Sequence, residues 1–257
     1  MTHSTYYSTR TSILSIGAFS LITLLFSGGA QAGKWSVGAG VAAEQLAYLD
    51  YDRQFMPIPI VTYQGEQFFI SGQGAGINII NTDTHGLSFN VDYSPLSFKP
   101  SDSRVPAMKK LDKRRATAMA GMGYQYNAAW GTVSGKAVTD VLGYSNGVLV
   151  DVGYQYAFQF GQLQLVPGVG MQWQSRSFND YYFGVSKQES QRSGIAAYRA
   201  QSGVSSYLSL ASYYALNDSW QLFLMGNYEQ VSDTVKDSPM VGRDYSVTVA
   251  TGFLYKF

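Results

Sequence analysis

Apolar and polar residues alternate with a period of two along most of the chain. Val148, Val150, Val152, Tyr154, Tyr156, Phe158 and Phe160 share one face, against Leu149, Asp151, Gly153, Gln155, Ala157 and Gln159 on the other. The odd positions from Leu163 to Trp173 repeat the scheme, with Val166 as an apolar intruder on the polar face. At the end of the chain Tyr245, Val247, Val249, Thr251, Phe253, Tyr255 and Phe257 oppose Ser246, Thr248, Gly252 and Lys256. Such alternation predicts strands whose two faces meet different surroundings. Eight follow, at 87–99, 115–127, 132–142, 148–160, 162–174, 202–215, 220–230 and 245–257. Residues 34–43 and 57–64 add two more, Pro57 and Pro59 marking the second as an edge or strand start. Residues 67–80 lose phase. Phe68 and Ile70 sit on even positions, Ile77 and Ile79 on odd ones, and Gly72, Gly74 and Gly76 lie at the break. Because a barrel with both ends on one side needs an even strand count, the segment is split, giving twelve strands, with ten as the alternative. The G-x-G-x-G string is followed by no helical pattern, which favours a bulge or tight turn over a phosphate loop.

The polar face is mostly Gln, Ser, Thr and Gly, and aromatics gather near the ends of the apolar faces. Only 14% of residues are charged, where a soluble domain carries about 25%. In hydrocarbon a sheet survives only by closing on itself, because every backbone polar group must be paired. The expected fold is therefore all-β, a transmembrane antiparallel β-barrel with a polar interior and aromatic girdles. A secreted β-sandwich is the competing arrangement. Short links at 64–66, 81–86, 128–131, 161 and 216–219 alternate with long ones at 44–56, 100–114, 175–200 and 231–244, and 143–147 fits as a short external loop. Short turns belong on the periplasmic side, long loops outside.

Residues 1–32 carry Arg10, an apolar run from Ser12 to Phe26, and Ala30-Gln31-Ala32. This is the layout of a cleaved signal peptide, too short for a spanning helix. The expected domains are a leader at 1–32 and a barrel at 33–257.

Candidate chemistry is sparse. Cys is absent and there are 2 His, which excludes disulfides, thiolate sites and His-rich metal centres. A formal charge of +1 gives no general pull toward nucleic acid. No metal, cofactor or catalytic residue is expected, and the chain reads as a non-enzyme. His85 falls in a short link, with Asp83 beside it as an ordinary turn residue. Asp180, Glu189 and Arg192 could form a carboxylate site but read better as solvated loop charges. Asp92, Arg115, Lys136, Asp140, Asp151 and Glu229 occupy the inward phase. Either they line a narrow water path or they pair and plug the lumen, and the limited space inside twelve strands favours the plug. Arg104, Lys109, Lys110, Lys113 and Arg114 make one long loop basic and suit lipopolysaccharide phosphates. Asp180, Tyr181 and Tyr182, beside Phe183, suit a partner contact or the lumen mouth.

Several strings resemble the MipA/OmpV family of outer-membrane proteins, its YiaT branch in particular. They include Pro57-Ile58-Pro59, Met108 to Arg114 followed by Thr117 to Gly121, Trp130 to Val133, Asp140 to Leu142 with Ser145 to Gly147, Phe178 to Ser186, Glu189 to Gly194 and Asp237 to Val241. The resemblance implies a small outer-membrane barrel. For the MltA-interacting member it implies a scaffold joining a lytic transglycosylase to a murein synthase. Other members are linked to adhesion or envelope stress. Gly252, Phe253, Tyr255 and the terminal Phe257 look like the signal read by the barrel-assembly machinery. The expected role is thus a structural or scaffolding barrel contacting lipid, lipopolysaccharide and murein enzymes. A narrow solute channel or an adhesin acting through its external loops are the alternatives.

Overall fold

The computed structural model describes residues 33–257, together with the backbone of a small ladder pairing Arg10–Ser12 with Thr23–Leu25. The rest of the expected leader lies outside the described residues. Twelve antiparallel strands close into a barrel. They are β1 (Lys34–Gln45), β2 (Gln54–Gln64), β3 (Phe68–Ser71), β4 (Gly74–Asn81), β5 (His85–Ser94), β6 (Thr117–Ala128), β7 (Gly131–Asp140), β8 (Val148–Gln155, continued by Phe158–Phe160), β9 (Leu163–Gln174), β10 (Gly203–Ala215), β11 (Trp220–Gln230) and β12 (Tyr245–Lys256). Each pairs with its sequence neighbours, and β12 pairs with β1 to close the ring. The interruption in β8 has a local cause. Tyr156 lies opposite Pro167 and donates to its carbonyl, but Pro167 has no N–H to return.

The outer wall is apolar and exposed: Val152, Val169, Met171, Leu208, Leu224 and Val249 all face outward. That is the surface a hydrocarbon solvent requires. Aromatics line the rim at the short-turn end, where Trp220 packs on Phe253 and Tyr255, Tyr255 on Phe257, and Trp130 on Tyr154. Among the described residues no helix is long and apolar enough to cross a membrane.

The phase break at 67–80 is a two-residue turn. Gly72 has φ +55°, and β3 and β4 are joined through Gly72-Gln73. A side chain at 74 would run into the Asp92 carboxylate, and one at 76 into Phe69. Replacing Gly72 by Ala forces a left-handed backbone on an L side chain and is expected to cost about 1–2 kcal/mol. Urea unfolding of the protein in detergent measures it.

β3 has only four residues, so this hairpin turns back at mid-height. The β2–β3 ladder has three pairs, Thr62 to Gln64 with Phe69 to Ser71. Above them, residues 54–60 have a strand partner on the β1 side alone. The Val61 carbonyl accepts from the Gly72 N–H, so odd-numbered residues of β2 present their backbone groups to this free side. Pro57 and Pro59 are odd. Their missing N–H groups remove two edge donors that would invite another strand.

The lumen is filled. On one side Ile58, Ile60, Val166, Tyr213, Phe223 and Leu254 form an apolar cluster. The inward face, expected to be mostly polar, is apolar on this side. Val166, the apolar intruder on the polar face, is part of that cluster, as are the inward Ile58 and Ile60. On the other side the inward groups are polar and buried: Asn90, Asp92, Ser134, Lys136, Asp151 and Gln155.

Candidate functional site

Five loops leave the long-loop end: 46–53, 95–116, 141–147, 175–202 and 231–244. Instead of projecting separately they fold together as a cap. Leu46, Tyr48, Tyr51, Phe98, Met108, Leu111, Phe178, Tyr182, Phe183, Val185, Val235 and Met240 pack into one buried core. Short antiparallel bridges tie the loops in register: Tyr48 with Val241, Tyr51 with Ser103, Phe98 with Arg114, and Val185 with Tyr198. Strand β5 ends at Ser94 rather than 99 because Phe98 is drawn into this core.

Local sequence sets the cap helices. Ser175 accepts from the Phe178 N–H and starts α1 (Arg176–Phe183). Ser186 and Glu189 form a reciprocal capping box at the head of α2 (Lys187–Ser193), and Gly194, at φ +79°, ends it.

Glu189 does more than cap. Its Oε1 accepts from Arg114 Nη2 at 2.8 Å and from the Asp112 N–H at 2.9 Å, while Oε2 accepts from the Ser186 N–H. Arg114 also donates to the carbonyls of Gly184 and Asp112. The two side chains are 9% and 3% exposed. Burial alone would raise the Glu189 carboxyl. The backbone donors of Asp112 and Ser186, with Arg114, outweigh it and hold the carboxyl below its ordinary range. Burial raises the Tyr51 phenol to about 12, and raises those of Tyr48 and Tyr182 as well. These groups are therefore neutral hydrogen-bonding parts of the cap. Tyr48 donates to the Tyr182 carbonyl and Tyr182 to the Arg115 carbonyl.

The expected loop-binding residues separate into two groups. Arg104, Lys109, Lys110 and Lys113 are exposed, with Arg104 paired to Asp52. Arg114 and Tyr182 are buried, which removes them from any exposed binding set. Tyr181 accepts from the Arg115 N–H, and Asp180 from the Ala200 N–H; both are cap joints rather than a free contact. Asp180, Glu189 and Arg192 do not converge, since Arg192 pairs with Asp112. Among the inward charges, Arg115 is a correction: it is exposed outside β6 and lies over the Tyr144 ring. Its neighbour Arg114 is the buried one.

The other inward charges are engaged. Lys136 is paired with Asp92, the side chains 4% and 9% exposed. The pair bridges β7 and β5 across β6. Asp151 accepts from the Tyr207 hydroxyl at 3.2 Å. Asp140 accepts from the Thr117 hydroxyl, from Ser145 through both N–H and hydroxyl, and from the N–H groups of Leu142, Gly143 and Asn146. It organises the 141–147 loop rather than a water path. Glu229 faces the space under the cap, with Glu44, a buried carboxylate that the alternation did not bring out.

At the opposite rim His85 Nδ1 lies 2.7 Å from the Tyr124 hydroxyl. Phe253 and Phe257 are exposed on the wall, and Gly252 is packed against Ala39, Gly40 and Phe223. What sequence reading missed is the Arg114–Glu189 pair. The Ser186-x-x-Glu189 spacing signals a helix start, but nothing local signals the partner.

The family model described as MltA-interacting protein MipA matches residues 37–257. The chain belongs to this family. It is 39% identical over 225 residues to the MltA-interacting protein of Escherichia coli, covering 88% of this chain and 91% of that one. It is 35% identical over 237 residues to the putative outer membrane protein YiaT of Escherichia coli, covering 92% and 96%. Outer membrane protein OmpV of Vibrio cholerae matches at 27% over 234 residues, covering 88% and 87%. Among solved structures, an outer membrane channel from Pseudomonas putida aligns with TM-score 0.47 and 10% identity, covering 91% of this chain and 100% of that one. Like its relatives, this MipA-family barrel is an outer-membrane protein.

Proposed function

We propose that this protein is a closed structural barrel of the outer membrane that serves as a scaffold for murein-remodelling enzymes. The observation that carries the reading is the sealed interior. Apolar side chains fill one half of the lumen, buried polar groups around the Lys136–Asp92 pair the other, and a packed cap covers the mouth. A barrel so filled spends its structure on rigidity rather than conduction. The name of the 39% identical relative adds the kind of partner, a lytic transglycosylase. The short-turn rim, with exposed Trp130, Leu216 and Phe257, is the face available to it. Arg104, Lys109, Lys110 and Lys113 on the opposite face suit lipopolysaccharide phosphates.

Two measurements test this. The purified protein is expected to give no steady single-channel steps in a planar bilayer, and reproducible steps would replace the scaffold by a channel. Cross-linking in the periplasm is expected to enrich a lytic transglycosylase over a control barrel of the same size. Equal recovery from both would remove that partner.

A further inference from the structure

Beneath the cap the lumen retains a small, partly open space of about 30 Å³, room for about two waters. Its roof is apolar, from Phe178, Phe183, Val231 and Val235 of the loops. Its floor is made of oxygen: Glu44, Glu229, Gln174, Ser94, Ser205 and Thr248. The ladder explains why these meet. Thr248 of β12 pairs with Glu44 of β1, and Ser246, one inward step away, pairs with Glu229 of β11. The two glutamates thus flank one strand at the same end of the barrel and line the same space.

The acceptors are in excess. Glu44 is 4% exposed and its Oε1 has no hydrogen-bond partner. Gln174 is 5% exposed and lines the space; its Nε2 donates to Gln172 and its Oε1 has no partner. The Ser94 hydroxyl is also unpartnered. No Lys, Arg or His lines the space, and Lys136 is held by Asp92. Two carboxylates lining one small, largely covered space repel each other unless one takes up a proton or a counter-charge sits between them. Water can donate hydrogen bonds but cannot supply one, and an organic ammonium has no room for its body.

We propose that Glu44, Glu229 and Gln174 form a site for a hard divalent cation of the calcium type, seated at the lumen mouth under the cap. The chemistry fits on three counts. All donors are oxygen, as such cations require, and carboxylates mix with amide and hydroxyl oxygens. Two carboxylates balance a charge of two. No His or Cys lines the space, which points away from the transition metals that favour nitrogen or sulfur. A cation there joins β1, β9 and β11 directly below the cap.

The test uses protein refolded into detergent without lipopolysaccharide, whose phosphates also hold calcium. Folding is verified by heat-modifiable gel mobility. Equilibrium dialysis with radioactive calcium is expected to show one saturable site per chain with a dissociation constant of about 0.1–1 mM, the range of extracellular modules. Glu44→Gln and Glu229→Gln, nearly isosteric, are each expected to weaken it at least about tenfold. Asp233→Asn, on the exposed cap surface, leaves it unchanged. Absence of saturable binding by the folded wild-type protein overturns the proposal whether or not the variants fold. Equal affinity in a folded glutamate variant overturns it too, by placing the ion elsewhere.

Discussion

Glu189→Leu is expected to loosen the cap by about 3–5 kcal/mol, because it leaves the Arg114 guanidinium buried without its counter-charge. The same change strips the acceptor from the Asp112 and Ser186 N–H groups. The double variant Arg114→Met with Glu189→Leu replaces the pair by apolar groups of similar size in an apolar core, and most of the loss is expected to return. Native-state proteolysis with thermolysin reads the effect, since the 175–202 loop becomes cleavable when the cap opens. Gel mobility of the barrel should hardly change. Equal cleavage of the single and double variants would show that the charge pair is not what holds the loops.

The pair also sets a pH dependence. The folded Glu189 carboxyl lies below its ordinary range. Its contribution is therefore fully present above the unfolded value, about 4.3. It is lost as pH falls through the lower folded value. Cap protection, followed by hydrogen exchange, is expected to stay flat from neutrality to about pH 5 and to fall below pH 4. In Arg114→Met/Glu189→Leu that part of the fall should vanish.

The second large effect lies inside the wall. Lys136→Met leaves Asp92 buried in the lumen with no cation, at an expected cost of about 3–5 kcal/mol. Adding Asp92→Asn removes the charge and should recover much of it. The glycine at 74 matters here, because a side chain there would occupy the position of the Asp92 carboxylate. Urea unfolding followed by tryptophan fluorescence measures the difference. A Lys136→Met protein as stable as wild type would mean that water reaches Asp92, and with it that the lumen is less tightly filled than the packing indicates.

Both pairs show where local pattern stops being informative. Lys136 and Asp140 share the inward face of one strand, and parity alone assigns neither of them a partner. The tertiary arrangement sends Lys136 across β6 to Asp92 and gives Asp140 to the 141–147 turn. Arg114 and Arg115 are adjacent and chemically identical, yet one is buried and one exposed. Only the bridge between Phe98 and Arg114 decides which.

The period-two alternation by itself determined the wall: an all-β barrel, its lipid-facing side, and the short-turn and long-loop ends, the even count of a closed barrel adding the split within 67–80 that makes twelve strands. It could do so because side-chain direction along a strand depends only on parity, and the two faces meet different solvents. The cap, the half-height β3–β4 hairpin, the apolar side of the lumen and the acidic space under the cap were decided by the tertiary structure alone. Each depends on contacts between segments far apart in the chain. Arg114 and Glu189 are 75 residues apart, and Glu44 meets Glu229 only because β12 pairs with β1 when the ring closes.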